Sequence, residues 1–179
     1  MRVTRELAPL VINAKGVIAF TGSVAALIPL PFNSIYSSSK AAIHLYASIL
    51  NLEMKPFGVE VINIVTGSVK TSFGDDGSLP ENSYYNIGDI EANAQYRKTM
   101  SENNNPLKPE EYARRVVNDF ERRRGALNVY RGKMASTMPV LVALLPRFLL
   151  EMSLVSEFKL TLVFAAITKK YSKTKIPIE

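Results

Sequence analysis

The sequence predicts an α/β fold built on a parallel sheet. Short, β-rich apolar runs alternate with stretches whose apolar residues recur at helical spacing. The runs lack the strict polar alternation of a sheet with one wet face, so each strand is expected to be buried on both. With 47% apolar and 21% charged residues, the 179-residue chain can bury a core. That length suits one domain or part of a larger one.

Val3, Leu7, Leu10 and Val11 recur at helical spacing, so the chain is expected to open inside a helix. Gly16 is its expected stop, and Pro9 is expected to kink it. An opening in mid-helix fits the later part of a longer domain. Val17–Phe20 reads as a buried strand ended by Thr21-Gly22-Ser23. A loop with Pro29 and Pro31 leads to a long helix from Ser34 to Lys55, stopped by Pro56. Its buried face is expected to carry Ile43, Tyr46, Ala47, Leu50 and Met54. Val59–Val65 is a second buried strand, closed by Thr66-Gly67.

Residues 72–107 are polar and interrupted by Gly and Pro, which predicts a long loop of the kind that serves as a lid. Pro109-Glu110-Glu111 then opens a helix, and Arg122-Arg123-Arg124-Gly125 closes it. Acid at the start and base at the end match the helix dipole. Ala126–Tyr130 is the third strand.

The segment 134–179 differs. Met134 to Pro146 is uncharged, but shorter than the roughly 20 residues that span a bilayer. Leu160 to Thr168 is shorter still and runs into Lys169, Lys170, Lys173 and Lys175. One reading is a helical pair packed on the domain or on a partner subunit. The other is an interfacial anchor on a membrane or lipid droplet, favoured because Pro139 and Pro146 interrupt a simple core helix.

Composition excludes several chemistries. Cysteine is absent, which rules out disulfides, thiol catalysis and cysteine-bound metal. The single histidine, His44, argues against a multi-histidine metal site, and no metal is expected. His44 is expected to be a packing or subunit-interface residue, and Asp75-Asp76 a solvated pair. Net charge is +6, concentrated beyond residue 107 beside the apolar stretches. That pairing points to a lipid surface more than to nucleic acid, because the aromatic–basic interleaving that stacks bases is sparse there.

Tyr36 and Lys40 lie four apart at the start of the long helix, so both project from one face. Tyr171 and Lys175 share that spacing without its context. Ser23 ends the strand before Tyr36, and Thr66-Gly67-Ser68-Val69-Lys70-Thr71 follows the next strand. These pieces resemble the short-chain dehydrogenase/reductase family over residues 1 to 133. The family usually has Pro-Gly where this chain has Thr66-Gly67.

The resemblance implies the C-terminal part of a Rossmann-like doubly wound parallel sheet in 1–133, followed by the hydrophobic tail. It implies Ser23, Tyr36 and Lys40 as catalytic residues, and Tyr36, Lys40, Gly67, Val69 and Thr71 as cofactor-binding residues. Tyr36 would give the proton to the carbonyl oxygen. Lys40 would favour the phenolate and hold the nicotinamide ribose, and Ser23 would hydrogen-bond the substrate oxygen. Gly67 to Val69 would meet the nicotinamide and Thr71 the phosphate side of the cofactor. Arg131 is a further candidate for a phosphate.

Arg5-Glu6-Leu7, Ala14-Lys15-Gly16, Leu52 to Phe57, Arg97 to Met100 and Val129 to Gly132 extend the resemblance. They resemble fungal NADPH-dependent reductases of acylated, phosphorylated ketones, enzymes of lipid biosynthesis. These work on the cytosolic face of the endoplasmic reticulum and on lipid droplets. A homo-oligomer stays open.

The family's glycine-rich phosphate loop is not spelled anywhere in the 179 residues. The NADPH assignment therefore comes from the resemblance alone. The chain by itself is expected neither to bind NADPH tightly nor to behave as a monodisperse monomer. The alternative to a reductase is a non-catalytic remnant or membrane-associated interaction protein without a cofactor site.

Overall fold

A computed structural model describes residues 1–71, 83–85, 105–122 and 125–172. Three parallel strands, β1 (Val17–Ser23), β2 (Glu60–Thr66) and β3 (Asn128–Arg131), form one sheet in the order β1-β2-β3. Ser23 stands opposite Thr66, and Thr66 opposite Arg131, so the carboxyl ends of the strands are level. The helices are α1 (Arg2–Asn13), α2 (Ser34–Met54), α3 (Pro109–Arg122), α4 (Thr137–Leu144), α5 (Arg147–Glu157) and α6 (Leu160–Tyr171). The expected parallel α/β architecture is present, and strand limits differ from the expected ones by one to three residues.

Alternation along β2 builds the two-sided core. Val59 and Val61 pack with Ala47, Leu50 and Met54 of α2, joined by Val11 and Ile12 of α1. Ile62 and Ile64 pack with Val129, joined by Tyr112, Val116 and Phe120 of α3. Helices thus cover both faces, as a parallel sheet requires. The Phe20 and Tyr46 rings meet edge to face at 5.5 Å between centroids.

Several expectations change. The face of α1 that carries Val3, Leu7 and Leu10 is exposed; Val11 and Ile12 turn to the core. The left-handed residue behind α1 is Lys15, at φ 45°, rather than Gly16. Pro56 does not stop α2 outright: a 3-10 turn, Lys55–Phe57, continues it, and Gly58 ends that turn at φ 69°. Strand β1 is buried only at Gly22 and Ser23, because β2 and not β1 lies at the centre of this sheet.

Residues 1–70 and 106–144 group in one unit, 71–105 and 145–179 in another. Helix α4, the first part of the expected tail, falls in the sheet unit. In the second unit Pro146 caps the start of α5, and Lys159, at φ 48°, reverses the chain into α6. Phe158, Leu160 and Val163 are buried there. Among the described residues no helix is long and apolar enough to cross a membrane. Most of the expected 72–107 loop, Asp75-Asp76, Arg123-Arg124, Lys173 and Lys175 lie outside the described residues.

Candidate active site

The carboxyl edge of a parallel sheet is where α/β folds place ligands, because backbone N–H groups and loop residues gather there. Ser23 ends β1 at this edge and is buried. Its Oγ accepts the N–H of Ala25, starting the 3-10 turn Val24–Ala26. One lone pair of Oγ is therefore used, and the hydroxyl proton is left to donate. Its backbone N–H donates to His44 Nε2 at 3.1 Å.

Helix α2 supplies the other groups. Tyr36 and Lys40 are both half-buried. Lys40 Nζ lies 5.7 Å from the Tyr36 ring centroid and donates to the Thr21 carbonyl at 2.8 Å. One turn further, His44 meets Ser23. Side chains of α2 thus fasten both Thr21 and Ser23: Lys40 links the Tyr36 ring to the Thr21 carbonyl, and His44 binds Ser23. Burial, reinforced by the neighbouring Lys40 ammonium, holds the His44 imidazole below the usual histidine range. A neutral ring is what accepting the Ser23 N–H requires.

Between these contacts sits Gly22. A Cβ there would lie 2.4 Å from both His44 Nε2 and Asn63 Oδ1, so a larger residue would require these two side chains to shift. Asn63 is buried on β2, and its Nδ2 donates to Asn128 Oδ1 at 2.9 Å.

The second candidate segment, 67–71, follows β2. Gly67 N–H donates to the Arg131 carbonyl at 2.8 Å, and Ser68 exchanges both backbone bonds with Lys133. Lys70 N–H donates to Leu107 O at 2.9 Å, beside a bridge between Val69 and Leu107. A Cβ on Gly67 would lie 2.0 Å from the Lys133 carbonyl oxygen, so glycine is needed for this backbone approach. Val69 is half-buried and Thr71 exposed. Thr66 stands where the family's proline was expected, and its hydroxyl shares a 2.7 Å hydrogen bond with the Tyr112 hydroxyl of α3.

Arg131, a candidate for phosphate, is already engaged. Its Nη2 lies 2.5 Å from Oδ1 of Asp119, which is 2% exposed, and this pair pins α3 to β3. Among the described residues no cluster of His, Asp or Glu is arranged to hold a metal. His44, expected as a packing or subunit-interface residue, contacts the site at Ser23, whereas sequence reasoning missed Tyr112 as a site neighbour. The one-turn spacing of His44 from Lys40 put it on the same helix face; nothing in the sequence pairs Tyr112 with Thr66.

Comparison with known proteins bears on the family and the fold. The family model for short chain dehydrogenase matches residues 1–80. The chain is 45% identical over 170 residues to an NADPH-dependent 1-acyldihydroxyacetone phosphate reductase of Saccharomyces cerevisiae, covering 95% of this chain and 57% of that protein. It is 42% identical over 154 residues to the short-chain dehydrogenase ptmH of Penicillium ochrochloron, covering 85% and 55%. The chain thus spans about half the length of the curated relatives it matches. A crystal structure of a short chain dehydrogenase from Burkholderia cenocepacia, in complex with NADP, superposes with a TM-score of 0.58 at 22% identity. That superposition covers 85% of this chain and 52% of the other, and it shows the shared fold. Motif, sheet edge and relatives together place the chain in the short-chain dehydrogenase/reductase family.

Proposed function

We propose that the whole protein is an NADPH-dependent ketone reductase of lipid biosynthesis that converts 1-acyldihydroxyacetone phosphate to 1-acylglycerol 3-phosphate. The observation that carries this reading is Lys40 set between the Tyr36 ring and the Thr21 carbonyl at the carboxyl end of β1, the strand that Ser23 closes. The 45% identity to the yeast reductase supports the substrate and cofactor.

These groups fit a nicotinamide-driven reduction. Bound cofactor supplies the hydride, and the chain supplies what the carbonyl oxygen needs. The Ser23 hydroxyl, with one lone pair given to Ala25 N–H, turns its proton to that oxygen. The Tyr36 phenol delivers the proton that completes the alcohol. The Lys40 ammonium, close to the Tyr36 ring, stabilises the phenolate left behind. Tyr36 and Lys40 would also hold the nicotinamide ribose, and the backbone of Gly67 to Val69 the nicotinamide. Thr71 would face the cofactor phosphates.

The same reading places the protein on the cytosolic face of the endoplasmic reticulum and on lipid droplets. Phe148 and Met152 of α5 and Leu162 and Phe164 of α6 are exposed. Lys169 and Lys170 close α6. Exposed apolar side chains with lysines beside them suit an interfacial contact, each lysine adding on the order of 1 kcal/mol near anionic lipid. Deleting residues 134–179 is expected to release the protein from a liposome pellet. If the deleted form still sediments with lipid and the segment alone does not, the contact lies elsewhere.

Supplying the whole protein with NADPH and 1-acyldihydroxyacetone phosphate tests the activity. Stoichiometric formation of 1-acylglycerol 3-phosphate is expected. No oxidation of NADPH with this or any long-chain ketone would favour the non-catalytic reading.

A further inference from the structure

We propose that His44 is a positioning residue, whose neutral Nε2 accepts the Ser23 N–H and so holds the Ser23 hydroxyl at the carboxyl end of β1. This rests on the role given to Ser23 in the proposed function.

Ser23 lies at the point where β1 gives way to a 3-10 turn. A strand end is free to fray unless its last polar groups find partners. His44 supplies the partner for Ser23 N–H, at 3.1 Å. The distance makes Nε2 the acceptor, so the ring carries its proton on Nδ1. Because Ser23 Oγ caps the turn by accepting Ala25 N–H, fixing its backbone also fixes its hydroxyl. One residue therefore sets both the position of the hydroxyl and the direction in which its proton is left to point.

The fit leaves no slack. Gly22 is the residue between Lys40's contact at Thr21 and His44's at Ser23, and a Cβ there would strike His44 Nε2. His44 can thus approach the strand only because residue 22 is glycine. The groups that face His44 are Gly22 and Ser23 from β1, Asn63 from β2 and Lys40 from its own helix. Lys40 alone of these is charged, and its ammonium opposes a second cation beside it. At neutral pH the ring stays an acceptor. A proton on Nε2 would convert it to a donor and break its bond with Ser23.

The test uses His44→Gln, whose amide oxygen replaces Nε2 as an acceptor without titrating, and His44→Leu, which keeps bulk but no acceptor. The first readout is the Ser23 amide proton resonance, which is independent of turnover. In the parent it is expected to titrate as pH falls below the ordinary histidine value of 6.5. In His44→Gln it should stay hydrogen-bonded and not titrate; in His44→Leu it should lose the hydrogen-bonded shift. The second readout is kinetic. His44→Leu should lower kcat roughly tenfold with little change in the KM for NADPH, and His44→Gln should restore most of it and lose the acid limb. An unshifted Ser23 amide and unchanged kcat in His44→Leu would overturn the proposal. If the amide behaves as expected while parent and variants alike fail to turn over, the positioning contact is upheld and the reductase reading falls.

Discussion

The two strand ends that form the candidate site are held in different ways. The end of β1 is held by side chains: Lys40 on Thr21, His44 on Ser23, with Gly22 between His44 and Asn63. The end of β2 is held by backbone: Gly67 on Arg131, Ser68 on Lys133 and Lys70 on Leu107. Both ends need glycine, for unlike neighbours. Gly67 faces a carbonyl that cannot move without moving its chain. Gly22 faces the tips of two side chains, one of which titrates. A side-chain clamp is adjustable and pH-sensitive; a backbone clamp is neither.

The largest effect should follow Gly67→Ala. Its new Cβ falls 2.0 Å from the Lys133 oxygen, so residues 132–135 must be displaced. A loss above about 3 kcal/mol is expected, read as failure to accumulate folded protein or as a large drop in Tm. A variant that melts with the parent would remove the backbone half of the contrast.

Asp119→Ala comes next. It leaves the Arg131 guanidinium without its buried carboxylate, beside the carbonyl that receives Gly67 N–H. Removing one partner of such a pair costs about 3 kcal/mol or more when both groups are fully buried, and somewhat less here, where Arg131 keeps some contact with water. Urea unfolding would measure it, and a midpoint equal to the parent's would show that the pair does not hold α3 on β3.

Gly22→Ala should be milder, about 1–3 kcal/mol, because His44 and Asn63 can turn aside. It should disturb the Ser23 amide environment beyond its cost in stability. Equal losses for Gly22→Ala and Gly67→Ala would erase the distinction between the clamps.

The smallest effect is the pH dependence. His44 is held below 6.5 in the fold, so the unfolded chain takes up a proton first as pH falls. Its contribution to stability is therefore complete above 6.5 and is lost below it. Hydrogen-exchange protection should drop at Ser23 over that range and hold at Ser68, whose partner is a carbonyl. Parallel behaviour of the two amides would contradict the assignment of the clamps.

Much of this edge was legible in the sequence. Thr21-Gly22-Ser23 and Thr66-Gly67 each marked a strand end, and the spacing of Tyr36 and Lys40 placed both on one helix face. Local signals of this kind survive folding because the strand–turn–helix order fixes them. What stayed hidden depends on distant partners. Gly67 is required by Lys133 and Gly22 by Asn63 and His44, contacts that no local spacing encodes. Arg131 read as a free cation because Asp119 lies on a different element. The apolar spacing of Val3, Leu7 and Leu10 gave the helix but not which side met the core.

The most direct measurement is the rate of NADPH oxidation by the whole protein with 1-acyldihydroxyacetone phosphate, parent against Tyr36→Phe, with circular dichroism confirming the fold of both. The phenol is the proton donor in this account, and its loss removes the acid while leaving the ring beside Lys40. A fall in kcat of at least about 100-fold is predicted. A folded Tyr36→Phe variant that turns over like the parent would contradict the assignment of Tyr36 and the reaction built on it.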